Sequence, residues 1–480
     1  MIYAERLYQK YTVRCDIERK RRDVMSSTML VVNLAISIVI IIGLILIPKL
    51  NPMVSLIIAS AYMGISCGLG IMPTLDTIAS GFGSMMTSIG LPIGLGVILG
   101  QLMSDSGMAQ KIAITLVHAV PSKYVTWALA GAGFLLAIPV FFDITFIILV
   151  PIGIAVAKEI NKPMAYVSTA LIIGDVIAQT YIPPTPNPLA APDLLGYSLG
   201  TQLVVGLIVG AIVLIPSMLV TTKALNAGLF NEEKDINHEA NPLKDLANHE
   251  ANSADLPKPP FALSMLPLML PVVLILISSV LQATGAAAAD SLVVLLLSNK
   301  IFTLLMAVLA AYVIAWKYIG FKKAESSANN ALGAAGVALA ITGAGGSFGS
   351  VIAATNIGDA LISTLNIGTG SVVGVLLFAY FIGFIFRVAQ GSGTVAGITS
   401  MTIMATVAPS VPVHPVWIAM ACLAGGISIG HVNDSGFWVC TNLSGFTVTG
   451  GLKTYTWPIF VVTVFTLIAA IIGALLFPMV

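Results

Sequence analysis

Apolar stretches separated by short polar breaks fill most of the chain, at residues 28–47, 53–72, 88–104, 125–140, 144–157, 164–180, 202–222, 261–281, 290–315, 331–353, 371–386, 394–408, 416–430 and 457–479. A helix needs about 20 such residues to cross a bilayer, so the pattern predicts an all-α polytopic membrane protein of about 10–12 spans. Several runs are too short or too rich in glycine to be ordinary spans. An irregular backbone survives in lipid only where protein or a water-filled cavity satisfies its polar groups. The broken segments are therefore where a functional site is expected.

Composition agrees with that pattern. Of 480 residues 57% are hydrophobic and 9% charged, against roughly 25% charged in a soluble chain. The net charge of +1 excludes nucleic acid as a partner, because no segment has the basic footprint that phosphates require. Cys15, Cys67, Cys422 and Cys440 are scattered without metal-ligand spacing, and neither a metal nor a cofactor is expected. Residues 1–27 form a basic N-terminal extension. Positive charge beside a first span places that end in the cytoplasm.

Residues 223–260 change character, with seven acidic and four basic residues between Lys223 and Lys258. They read as a solvated linker. His238 and His249 lie in it and are assigned to solvent rather than to a metal. The linker separates a first transmembrane repeat, 28–222, from a second, 261–480. A spacing echo supports the division. Asp143 precedes Thr185 by 42 positions and Ser392 precedes Asn433 by 41, each pair marking two polar interruptions in an apolar half. Paired broken segments in corresponding places point to the midplane binding site of a secondary transporter.

Four constellations carry the chemistry. The tract I-P-P-T-P-N-P cannot be helical, since proline removes a donor and clashes with the preceding turn. It leaves Thr185 and Asn187 to bond a ligand or a cation. In G-S-G-T, Gly391, Ser392, Gly393 and Thr394 open a helix whose N–H groups and dipole suit a carboxylate. Arg387, four residues upstream, is too costly in an apolar span unless it meets an anion or water. In H-V-N-D-S-G-F-W, His431 and Asp434 are spaced to share a helical face and exchange a proton, while Asn433 and Ser435 can bond substrate. Asp143, alone among apolar residues, is a proton-carrier candidate; Asp175, Asp193 and Asp359 are weaker ones. The glycine run from Gly343 to Gly349 lacks the ending of a phosphate loop and suits close helix packing or a hinge.

These residues, above all P-P-T-P-N-P-L-A, G-A-G-G-S-F-G, R-V-A-Q-G-S-G-T-V-A and H-V-N-D-S-G-F-W with L-K-T-Y-T-W, resemble the gluconate permease family of proton symporters, within the ion-transporter superfamily. The resemblance covers most of the chain from about Met25. It implies a carrier of two inverted repeats with re-entrant hairpins in a bacterial inner membrane, importing gluconate or a related hydroxylated monocarboxylate with protons. The family pattern often has histidine and glycine in place of Thr185 and Asn187, glutamate in place of Asp143, and an aspartate near Ala354 and Thr355. The expectation is a transporter, not an enzyme. It works by alternating access on a small carboxylate and protons, in a lipid bilayer, with a homo-oligomer left open. Sodium-coupled carboxylate or amino-acid transport, of a D-serine-like substrate for example, is the alternative. A membrane-embedded enzyme built on His431, Asp434 and Ser435 is the rival from another class.

Overall fold

The structure, a computed structural model, describes residues 27–48, 50–237, 258–284, 291–355, 371–432 and 434–479. The basic extension, His238, His249, Asp359 and Asn433 lie outside them. The first half holds α1 (Ser27–Leu46), α2 (Pro52–Ser66), α3 (Ile71–Met85), α4 (Leu91–Asp105), α5 (Met108–His118), α6 (Val125–Leu136), α7 (Phe142–Glu159), α8 (Met164–Tyr181), α9 (Pro186–Leu195) and α10 (Leu199–Asn226). A short helix, α11 (Glu232–Asp235), begins the linker. The second half holds α12 (Phe261–Ala283), α13 (Leu292–Ser298), α14 (Lys300–Ile319), α15 (Phe321–Ala354), α16 (Val372–Gln390), α17 (Gly393–Ala405), α18 (Pro415–Ile427), α19 (Ser435–Leu443), α20 (Val448–Gly451) and α21 (Trp457–Leu476).

Among the described residues five helical stretches are long and apolar enough to cross a membrane, and the bent pair around α3 and α4 makes six. One of the five is α8 with α9, Met164–Leu195, and shorter apolar helices of 10–17 residues lie in α1, α2, α16, α17 and α18. α8 and α9 are separated at Ile182–Thr185, where Pro183 and Pro184 cannot donate to a helical ladder. α16 ends on Gly391, whose φ of +72° is the left-handed C-cap that glycine adopts without strain. Ser392 then caps α17 and Asp434 caps α19, each side chain accepting a backbone N–H of the first turn. Outward-facing apolar residues cover the spans: on α10 Ile208, Ile212, Ile215 and Leu219 form an exposed stripe at helical spacing.

Two glycine seams hold the core. A Cβ on Gly174 would lie 1.9 Å from the Ala130 carbonyl oxygen, and one on Gly133 would lie 2.8 Å from that of Leu171, so α6 and α8 touch backbone to backbone. In the second half Gly425 meets the Tyr380 carbonyl at 2.0 Å and Gly383 meets that of Cys422 at 2.7 Å, joining α16 to α18. With no hydrophobic drive between helices in lipid, small residues that permit such approach supply the packing energy. The run Gly343–Gly349 lies inside α15 and packs in the same way against Gly81, Phe82 and Thr402.

The start of the linker keeps Asn231 to Lys234 exposed while Asp235 is buried against the second half. α10 continues to Asn226, and residues 231–237 dock on the second half. Ile236 bridges Phe446 in antiparallel fashion, Thr447 donates its N–H to the Asp235 carbonyl at 2.9 Å, and the buried Asp235 carboxylate accepts from Lys453 Nζ at 2.7 Å. Composition signalled hydration because it registers charge, whereas pairing of that charge depends on Lys453, some 218 residues away.

Candidate functional site

The helix breaks meet around one cavity of about 340 Å³. Its wall takes Phe141, Phe142 and Asp143 from the start of α7, Gly391 to Thr394 from the start of α17, and Asp434 to Gly436 from the start of α19. Three helix N-termini thus face one space, each with unpaired N–H groups and the positive end of its dipole. The proline tract lies directly behind. Asn187 Nδ2 donates to the Gly393 carbonyl at 3.1 Å, and the Asn187 amide fills the space a Cβ on Gly397 would need. Gly430 and Gly393 both abut the Arg387 guanidinium, so the Pro183–Pro188 and Gly430–Trp438 breaks flank the same loop.

Arg387, at the last turn of α16, is 1% exposed. Its Nη2 pairs with Asp434 Oδ2 and its Nη1 donates to the Gly391 carbonyl. The Asp434 carboxylate also accepts from the Tyr455 hydroxyl at 2.5 Å and from the Gly436 N–H at 3.0 Å. Arg387 Nε has no partner among the described residues. The site therefore contains one guanidinium already engaged by one carboxylate, with a second carboxylate, Asp143, across the cavity.

Of the residues expected to act, Asp143, Arg387, Gly391, Ser392, Gly393, Thr394, Asp434 and Ser435 line the cavity. Thr185 does not. Its hydroxyl donates to the Gln179 carbonyl at 2.5 Å and lies 3.2 Å from that of Ile182, closing the chain break. Asn187 stands behind the wall, with Oδ1 unpartnered. His431 sits aside, its ring Nε2 3.3 Å from the Val388 carbonyl. Two lining residues with polar side chains were not picked out from sequence: Gln179, a lone amide near the end of α8, and Tyr455. Gln179 could have been found as an uncharged polar residue on the helical face of Asp175, four positions away. Tyr455 lies in the L-K-T-Y-T-W motif, which carries the family resemblance but had no role assigned to it from sequence.

Two further cavities flank the central one. α7 runs outward from it to a cavity of about 580 Å³ bordered by Ala157, Lys158, Lys162 and Ser444, and α19 ends there too. α17 runs to a cavity of about 510 Å³ bordered by Asp193, Thr402 and Thr406. α8 begins at the first of these cavities with Met164 and α9 reaches the second with Asp193, while the chain leaving α19 meets the first at Ser444.

All-helical membrane transporters share this architecture. MtrF of Neisseria gonorrhoeae, described as illuminating a class of antimetabolite efflux pumps, superposes with a TM-score of 0.60 at 14% identity, covering 86% of this chain and 85% of that one. The YdaH transporter of Alcanivorax borkumensis gives 0.59 at 12% identity, covering 84% and 89%. The chain belongs to the GntP family of permeases, whose model matches residues 29–476. It is similar to the gluconate permease of Bacillus licheniformis (31% identity, covering 88% of this chain and 94% of the relative), to that of Pseudomonas aeruginosa (30%; 88% and 92%) and to the Gnt-II system L-idonate transporter of Escherichia coli (27%; 85% and 90%). It is a multi-pass membrane permease, not an enzyme.

Proposed function

We propose that this permease imports a small hydroxylated monocarboxylate, a gluconate-like sugar acid, together with protons, by alternating access. The observation that carries the reading is the convergence of three helix N-termini and the buried Arg387 on one cavity that also holds Asp143. The substrate carboxylate meets the N–H groups of Gly391 to Thr394 and the free edge of Arg387. Its hydroxyls meet Ser435, Gln179 and Asn433, with Asn187 and Thr185 holding the wall.

Charge balance supports proton coupling. With Arg387 neutralised by Asp434, an incoming anion would face the Asp143 carboxylate at close range, and like charges in a desolvated site repel by several kcal/mol. Placing a proton on Asp143 removes the conflict, so anion and proton favour one another's binding. Across the membrane, bringing in a lone monoanion costs about 2.3 kcal/mol per 100 mV of inside-negative potential, which one accompanying proton cancels. Relatives named for gluconate and idonate point to the same substrate class. The matching spacing of the polar breaks in the two halves supports two inverted repeats, and alternating access would use the two flanking cavities as openings. We place the N-terminus in the cytoplasm of a bacterial cell and the chain in its inner membrane, on the seven basic residues that precede Asp23.

Purified protein in liposomes tests this. Labelled gluconate should accumulate under an inward pH gradient without sodium. Uptake that needs a sodium gradient and ignores pH would overturn the proton assignment in favour of sodium coupling.

A further inference from the structure

One buried acid is left unused by this account. Asp175, in the middle of α8, is 1% exposed, and neither carboxylate oxygen has a partner among the described residues. An ionised carboxylate without partners in such surroundings costs far more than a fold can spare, and a bound proton removes that cost. Its position on α8 gives the proton a direction. Gln179, one turn towards the C-terminus, lines the central cavity. Ser168, two turns towards the N-terminus on the same face, hydrogen-bonds Ser444 at 2.7 Å, and Ser444 borders the outer cavity that carries Lys158 and Lys162.

The gap between Asp175 and Ser168, about 10 Å of helix rise, is flanked by α19. Cys440, one turn before Ser444, is buried. The hydroxyls of Thr145 on α7 and Thr441 on α19 are buried and unpartnered, as is expected where ordered water completes a polar file. Asp143 of α7 is the ionisable group whose charge bears on Asp175, while α6 presents Gly133 to its backbone.

We propose that Asp175 is a proton station on a path distinct from the substrate's, running from Asp143 at the central cavity through Asp175 and Cys440 to the Ser168–Ser444 pair and the lysine-lined outer cavity. The substrate occupies the central cavity, whereas the proton passes along α8 towards the Ser168–Ser444 contact. No bond other than O–H is made or broken: Asp175 gives up its bound proton to water in the outer cavity, and the Asp143 carboxyl then returns a proton to Asp175, leaving Asp143 ionised and Asp175 neutral as before.

The proposal rests on proton symport. Liposomes with a trapped pH dye and labelled gluconate separate the two. Asp175→Asn, which mimics the protonated acid, should retain exchange of external for internal gluconate at equal pH. It should lose pH-driven accumulation and internal acidification to the level of empty liposomes, and Asp175→Glu should restore part of both. Wild-type acidification together with an Asp175→Asn variant that accumulates and acidifies normally would overturn the path alone. Absence of acidification in the wild type would overturn symport and the path together. Should Asp175→Asn fail to fold, Cys440→Val and Ser168→Ala provide the reading. Slower acidification with intact exchange supports the path, and unchanged acidification in both refutes it.

Discussion

Arg387 and Asp434 form the one fully buried ion pair described in the molecule, and separating its structural from its functional part is the sharpest test of the site. Arg387 is 1% exposed and Asp434 8%. At an effective dielectric of about 20 two unit charges in contact attract by roughly 4 kcal/mol, and removing one partner of such a pair costs about 3–5 kcal/mol because the other charge is left buried alone. Asp434 keeps two further donors, Tyr455 and the Gly436 N–H, after Arg387 is removed, which moves the Arg387→Gln cost to the lower part of that range. Asp434→Asn keeps the helix cap but strands the guanidinium and belongs at the upper part. The double variant Arg387→Gln/Asp434→Asn removes both charges and should recover most of the lost stability, with a coupling energy of about 2–3 kcal/mol in the cycle. Thermal or denaturant unfolding in detergent reads the stability, and gluconate uptake in liposomes reads function. All variants lacking Arg387 should fail to transport, including the stable double variant, because the anion's partner is gone. Coupling within about 0.5 kcal/mol of zero would show that the two side chains do not act as a pair. Transport by the double variant would remove Arg387 from the binding site.

Three other outcomes follow. Gly425→Ala would place a methyl 2.0 Å from the Tyr380 carbonyl oxygen and should lower stability by about 1–3 kcal/mol or more, while Gly131→Ala, with open space around it, should be neutral in the same melting assay. Asn187→Ala removes the hydrogen bond to the Gly393 carbonyl; it should cost about 1 kcal/mol and weaken gluconate affinity by loosening the start of α17, read as a raised KM. Burial opposes ionisation of Asp235, but the Asn231 N–H and Lys453 outweigh it and hold its carboxyl below the usual range. Its contribution is complete above the unfolded value near 3.9 and is lost as pH falls through the lower folded value. Proteolysis of the docked segment 231–237 should therefore stay slow at neutral pH and accelerate only below about pH 4. Asp235→Asn should accelerate it at every pH.

Much of this site was legible because broken helices leave coarse marks. Proline in Pro183–Pro188, glycine around Ser392 and the polar run at His431 stand out from apolar surroundings whatever the tertiary structure, and all three cluster in the fold. The use of individual side chains was less legible. Thr185 looked like a ligand but spends its hydroxyl on Gln179 and Ile182, since a chain broken by prolines has carbonyls to satisfy nearby. Arg387 was expected to be held by the substrate, yet it has Asp434 from 47 positions away; such pairing depends on how two helices cross, which periodicity does not encode. The glycine seams could have been seen. Gly133 and Gly174 are 41 positions apart, Gly383 and Gly425 are 42, an echo of identity as well as spacing. It was hidden among 44 glycines.

The antiparallel contact of Ile236 with Phe446, with Lys453 gripping Asp235, bolts the end of one half to the other half by non-covalent means. Covalent continuity between residues 238 and 257 is then dispensable for assembly. Two separately encoded fragments, divided within that interval, should find each other in the membrane and reconstitute a working carrier, and a gene split at this position would be a viable arrangement in evolution.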